Sequence, residues 1–244
     1  MSEALRSEYR KLFTIRSTYI ISGLALLLVG FISFWVMGYK GASDNPHLLM
    51  DAATMTGQAI SLFMTILAIL LITHEYRYNT IMYTLTSSNR RSKALLSKAI
   101  VVSVYVVAFT ALATLFAIAM VWLGTSLKGN ELATQQFFFG EGIWRLAFYL
   151  WAYAMTGLLL GVLFRHVVGA LVTLFLVPTT VEPLLGLLLK ENTKYLPFSA
   201  LDQVISNGML SSVLAHNKAA LLFGAYLAVG WIIAWFLFLR RDAN

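Results

Sequence analysis

Hydrophobic positions in this chain fall into six long runs, each bounded by polar residues: Ser17–Met37, Met55–Thr73, Ala99–Leu123, Leu146–Phe164, Val167–Leu189 and Ala219–Leu239. Each approaches or exceeds the roughly 20 apolar residues that a helix needs to cross a hydrocarbon layer about 30 Å thick. The pattern predicts an all-α integral membrane protein, a single transmembrane domain over residues 1–244 with spans at about 17–37, 55–73, 99–123, 146–164, 167–189 and 219–239.

The polar connections have patterns of their own. Ahead of the first run, Leu5, Tyr9, Leu12 and Phe13 recur at helical spacing, while Arg6, Glu8, Arg10 and Lys11 fall on the other face. That is the signature of an amphipathic helix lying on a membrane surface. About 21 apolar residues behind Glu3 and Glu8 are too many for the core of a cleavable signal peptide. Gly41, Asp44, Asn45 and Pro46 mark a turn-rich connection over 38–54, and Phe137, Phe138 and Phe139 form an apolar cluster within the polar stretch 124–143. Residues 190–218 set Leu201, Val204, Ile205, Met209, Leu210, Val213 and Leu214 against Asp202, Gln203, Asn207, Ser211 and Ser212, which predicts a pair of short interfacial or re-entrant helices. Between spans two and three, Ile81, Met82 and Leu85 make one apolar helical face, followed by a Ser-Ser-Asn break and then Arg90 and Arg91.

Charge orients the spans. With the N-terminus in the cytoplasm, 12 of the 18 basic residues fall on the inner side, leaving Lys40, Lys128, Arg145, Lys190, Lys194 and Lys218 outside. The positive-inside rule places both termini in the cytoplasm. Trp35, Tyr39, Trp122, Trp144, Tyr149 and Trp151 lie near run ends, where aromatic anchors belong. The net charge of +7 is accounted for by these helix ends, so no nucleic-acid partner is expected. The absence of cysteine excludes disulfides, thiolate metal sites and a cysteine nucleophile.

The segments SEYRKLFTIRSTY (Ser7–Tyr19) and ITHEYRYNTIMYTLTSSNRRSKALLSKA (Ile72–Ala99) resemble the ABC-2 type (type V) permeases of bacterial ABC transporters. So do GLLLGVLFRHVVGAL (Gly157–Leu171) and the YLPF beginning at Tyr195, so the likeness covers most of the chain. It departs at Asn79, where many relatives carry glycine. The resemblance implies an N-terminal elbow helix, six transmembrane helices, a cytoplasmic coupling helix between spans two and three, and short outer helices between spans five and six. It further implies a permease pair, as homodimer or with a close paralogue, served by two copies of an ATPase subunit that bind ATP and Mg. Glu75, Arg77, Asn79, Thr80, Arg90 and Arg91 are then the expected ATPase-subunit contacts. Glu75 with Arg90 or Arg91 is expected to lie at the membrane edge as a water-exposed pair, contributing about 0 to 1 kcal/mol. The chain contains no G-x-x-x-x-G-K-[ST] phosphate loop, so it is not expected to hold a cofactor or act as an enzyme.

Three further features carry possible chemistry. Glu182 is the one acidic residue well inside an apolar run, flanked by Pro178 and Pro183, which would bend or break the helix. A carboxylate at that depth costs at least about 2.5 kcal/mol to insert, which makes it a candidate for the pathway or outer gate; the alternative is a carboxylate that bonds backbone groups freed by the prolines. Gly157 and Gly161 form a G-x-x-x-G for close helix packing, within one protomer or across a dimer. His74 and Glu75 begin a zinc-protease pattern, but Tyr78 stands where the second imidazole is needed, and the four histidines share no ligand spacing, so no metal site is expected. The reading is a bacterial cell-membrane exporter subunit for amphipathic or hydrophobic cargo, powered by a separate ATPase. The alternative is an ion- or proton-coupled secondary transporter that uses Glu182.

Overall fold

The computed structural model describes residues 2–35, 48–78, 80, 91–128, 139–206 and 214–240, and all regular structure among them is helical. The helices are α1 (Ser2–Thr14), α2 (Arg16–Phe31), α3 (Leu48–Arg77), α4 (Arg91–Leu127), α5 (Phe139–Phe164), α6 (Val167–Leu176), α7 (Glu182–Leu189), α8 (Pro197–Ile205) and α9 (His216–Arg240). A π-helical turn, Val177–Val181, joins α6 to α7, and a 3₁₀ segment, Lys190–Tyr195, leads towards α8.

Six stretches are long and apolar enough to cross a membrane: Arg16–Trp35, Met55–Arg77, Ser92–Leu127, Gly142–Phe164, Val167–Tyr195 and His216–Arg240. The chain is thus a multi-pass membrane protein. Five spans outrun the apolar runs, most of all the third, which begins seven residues before Ala99 and ends four after Leu123. Hydropathy reads only the lipid-matched part of a helix, whereas backbone hydrogen bonding continues through Ser92–Lys98, where Ala94, Leu95 and Lys93 are good helix formers. For the same reason residues 48–54 are the first turns of α3 instead of a loop. The turn residues at 41–46, the apolar face at 81–85 and the helix expected around 209–213 lie outside the described residues, as do Phe137 and Phe138.

At the centre lie α3 and α5, in whose most apolar 18 residues 61% are buried, against 11% for those of Val167–Tyr195 at the periphery. The two central helices touch along a glycine seam. A Cβ built on Gly157 would stand 2.7 Å from the Thr65 carbonyl oxygen and 3.2 Å from Thr65 Cα, and one on Gly161 would stand 2.4 Å from Ile72 Cγ2. The G-x-x-x-G therefore faces α3 of its own chain. Small residues allow this approach because dispersion between close backbones, and not water exclusion, holds helices together in lipid. Buried hydroxyls are satisfied within their own helices: Thr65 donates to the Ser61 carbonyl, Thr73 to Ile69, Thr110 to Val106 and Thr156 to Ala152. Leucines face outward on the peripheral helices, with Leu187 and Leu188 more than three-quarters exposed, as a lipid-facing surface requires.

The seam makes a prediction. Gly157→Ala forces a methyl against the α3 backbone and should destabilise the chain by about 1 to 3 kcal/mol, whereas a Cβ at Gly224 meets nothing within 4 Å. Thermal unfolding of the detergent-solubilised variants should show a lowered midpoint for Gly157→Ala and none for Gly224→Ala. Equal midpoints would remove the seam from the account.

Candidate functional site

Charged side chains from three helices meet at the end of the bundle that carries α1. On α1, the three-residue spacing sets Glu8 and Lys11 on one face. Lys98 comes from the second turn of α4 and Glu75 from the last turn of α3. The Lys98 ammonium donates to Glu8 Oε2 and to Glu75 Oε1, each at 2.6 Å. Lys11 donates to Glu8 Oε1 and to the same Glu75 Oε1, each at 2.8 Å. Two carboxylates and two ammonium groups thus form a closed, net-neutral ring.

Glu8 and Lys98 are 1% exposed and Glu75 is 7% exposed; Lys11 reaches the surface. The sequence pattern puts Glu8 on the solvated face of the amphipathic helix and Glu75 in a water-exposed pair, but the structure buries both. On α1, Glu8 lies between Leu5 and Leu12 on the face turned to α4, and the two lysines supply the charge that permits its burial. Burial pushes the Glu8 carboxyl up, but the charges and hydrogen bonds of Lys98 and Lys11 outweigh it and hold the group below its ordinary 4.5. For Lys11, burial alone would lower the ammonium, and the bonds to Glu75 and Glu8 raise it above its ordinary 10.5. A depressed acid contributes stability above its unfolded value and loses it as pH falls through the folded one. A raised base contributes below its unfolded value and loses it as pH rises through the folded one. Glu8 and Lys11 therefore both contribute across the neutral range. Glu75 Oε2 has no hydrogen-bond partner among the described residues.

The neighbouring expected contacts are partly in view. Arg77 and Thr80 are exposed; the Arg77 guanidinium sits 5.7 Å from the Tyr78 ring centre, and the Thr80 N–H donates to the Glu75 carbonyl. Asn79, Arg90 and the Arg91 side chain lie outside the described residues.

A second polar site sits between α7 and α8. Glu182, 4% exposed, accepts from the Phe198 N–H at 2.7 Å and from the Ser199 N–H and hydroxyl at 2.8 Å. Phe198 and Ser199 are the second and third residues of α8, whose first, Pro197, has no N–H and whose cap position, Leu196, has no side-chain acceptor. Glu182 supplies the missing cap from 16 residues away and sets a negative charge at the helix's positive end. Pro178 and Pro183 do not break the helix. The π turn Val177–Val181 absorbs the lost donors and ring clashes, with the Glu182 N–H reaching the Val177 carbonyl five residues back. Asp202 on α8, read from the sequence only as part of a polar face, accepts from the Tyr149 hydroxyl at 3.1 Å. Loss of hydration around its carboxylate pushes it up to about 6, the Tyr149 bond opposing and the Glu182 charge adding. The residue as a whole is exposed, so the shift comes from crowding at the carboxylate and not from enclosure of the side chain.

Two predictions follow from these geometries. Lys98→Met leaves Glu8 and Glu75 facing each other without their buried cation and should cost about 3 to 5 kcal/mol; Lys11→Met should cost less, and Glu8→Gln combined with Lys98→Met should recover part of the loss. Thermal midpoints in detergent measure this, and a fully tolerated Lys98→Met would show the ring to be dispensable. For Asp202, a raised acid contributes stability that is full below its ordinary 3.8 and lost as pH rises through about 6. Hydrogen exchange in α8 should accelerate over that interval in the parent chain and lose the dependence in Asp202→Asn.

A family model described as "Protein of unknown function (DUF2705)" matches residues 19–243, a stretch that holds Glu75, Lys98, Glu182 and Asp202 and begins after Glu8 and Lys11. No curated protein matches the chain. With the match running from within the first apolar helix to beyond the sixth, the chain belongs to the DUF2705 family.

Proposed function

We propose that the chain is the membrane-spanning subunit of an ATP-driven transporter of the ABC-2 type, an exporter of amphipathic or hydrophobic cargo in a bacterial cell membrane, working as a pair with two ATPase subunits. In this reading α1 is the elbow helix, both termini are cytoplasmic, and the segment 81–90 docks on the ATPase. The sequence motifs quoted above support it, and one structural observation carries it. The charge ring ties α1, the end of α3 and the start of α4 into one body, and these last two helices flank the segment 81–90. A push delivered there reaches spans two and three and the elbow together. Glu75 then acts as a positioning residue behind the docking surface, and Arg77 and Thr80 stay accessible beside it.

A proton-coupled carrier built on Glu182 has less support, because three donors from α8 already hold that carboxylate. Such a carrier would depend instead on Asp202, the acid near the opposite end of the bundle whose carboxyl titrates near 6.

The chain has no cysteine, so Thr80→Cys introduces a unique crosslinking site. It should capture an ATP-binding subunit when that subunit is co-expressed from a neighbouring reading frame, and Glu75→Gln, which takes one acid from the ring, should lower the thermal midpoint of the chain and, in the complex that still assembles, the ATPase rate. ATP hydrolysis by the purified chain alone would overturn the proposal, as would the absence of any captured ATPase.

A further inference from the structure

We infer that the cleft between α1 and α4 is a binding site for one anionic phospholipid of the leaflet that meets α1. The cleft has a volume of about 420 Å³, within the roughly 300 to 1,000 Å³ of ligand sites. Its walls are Leu5, Tyr9 and Phe13 of α1 and Val101, Val104 and Ala108 of α4, with Arg6 as its cationic lining residue.

The occupant follows from how polarity is arranged. Val101 to Ala108 rise about 10 Å along α4, above the level of Lys98, and Val104 is 61% exposed, so this wall faces the hydrocarbon layer. Arg6 is exposed, and Arg10, one helical turn further along α1, is exposed beside it. The other charges on the inner face of α1 are already neutralised in the ring, and the ion pairs found among the described residues involve neither arginine. An elongated apolar slot with a guanidinium at one rim matches an acyl chain whose phosphate headgroup stands at Arg6. A neutral hydrocarbon would use the slot and leave the arginine without a role. A zwitterionic lipid would set its own cation beside that arginine. The inference is independent of the transport reading.

The test is native mass spectrometry of the purified full-length chain after exchange into phosphatidylglycerol or phosphatidylcholine. One retained phosphatidylglycerol per chain is expected, with phosphatidylcholine held more weakly. Arg6→Gln should cut the preference for phosphatidylglycerol about fivefold, the weight of one basic residue at an anionic surface. Val104→Trp, at an exposed position, should fill the slot and abolish the retained lipid while the thermal midpoint without added lipid is unchanged. Should that variant fail to fold, the smaller Ala108→Leu serves in its place. Equal retention of both lipids, or a retained lipid that survives slot filling, would overturn the inference. So would disulfide dimers of Val104→Cys formed in the bilayer, which would assign the cleft to a second copy of the chain.

Discussion

Everything at the α1 end of this bundle depends on one constraint: a lysine ammonium removed from water must be matched. Lys98 is enclosed near the head of the longest helix, and its two acceptors come from helices that precede it by 23 and 90 residues. Neither carboxylate could be buried there without it, and it could not be buried without them. The ring is therefore a cross-chain specification of where α1 sits. Apolar packing of Leu12 alone would leave α1 free to slide along α4, whereas opposed charges at 2.6 Å fix both its register and its rotation.

The same logic, with backbone in place of side chains, governs the other end. A π turn keeps the helix continuous past two prolines and delivers Glu182 to the open N-terminus of α8. The carboxylate that looked like an isolated intramembrane charge is the cap of a neighbouring helix. Tyr149 and Asp202 continue the polar contacts from there onto central α5, so the short helix is tied both to the peripheral span and to the core.

How much of this was legible in the sequence depends on the range of the signal. Six crossings follow from hydropathy because each is a property of some 20 consecutive residues, and the approach at Gly157 and Gly161 follows from small residues four apart. The amphipathic character of α1 was also legible, yet its faces were misdrawn at Glu8. Leu5, Glu8 and Leu12 follow the helical spacing of three and four, and an acid on an apolar stripe opposite a lone lysine entering an apolar run is the cue that would have exposed the pairing. Asp202 gave no such cue, since an acid on the polar side of a short helix is ordinary, and its crowding arises only where α5 and α8 meet. Glu182 was visible as costly, but its partners could not be read, because orphan N–H groups at a helix start carry no side-chain signature.

The length of α4 has a mechanical meaning of its own. Its 37 residues are hydrogen-bonded without a break, making a rod of about 55 Å in a layer of about 30 Å. Such a rod turns angle into displacement: tilting it by about 10° about its midpoint carries each end roughly 5 Å sideways, in opposite directions. The Lys98 end is bolted to two other helices, so that end cannot swing without taking them along. A push at that end therefore moves α1, α3 and α4 as one lever.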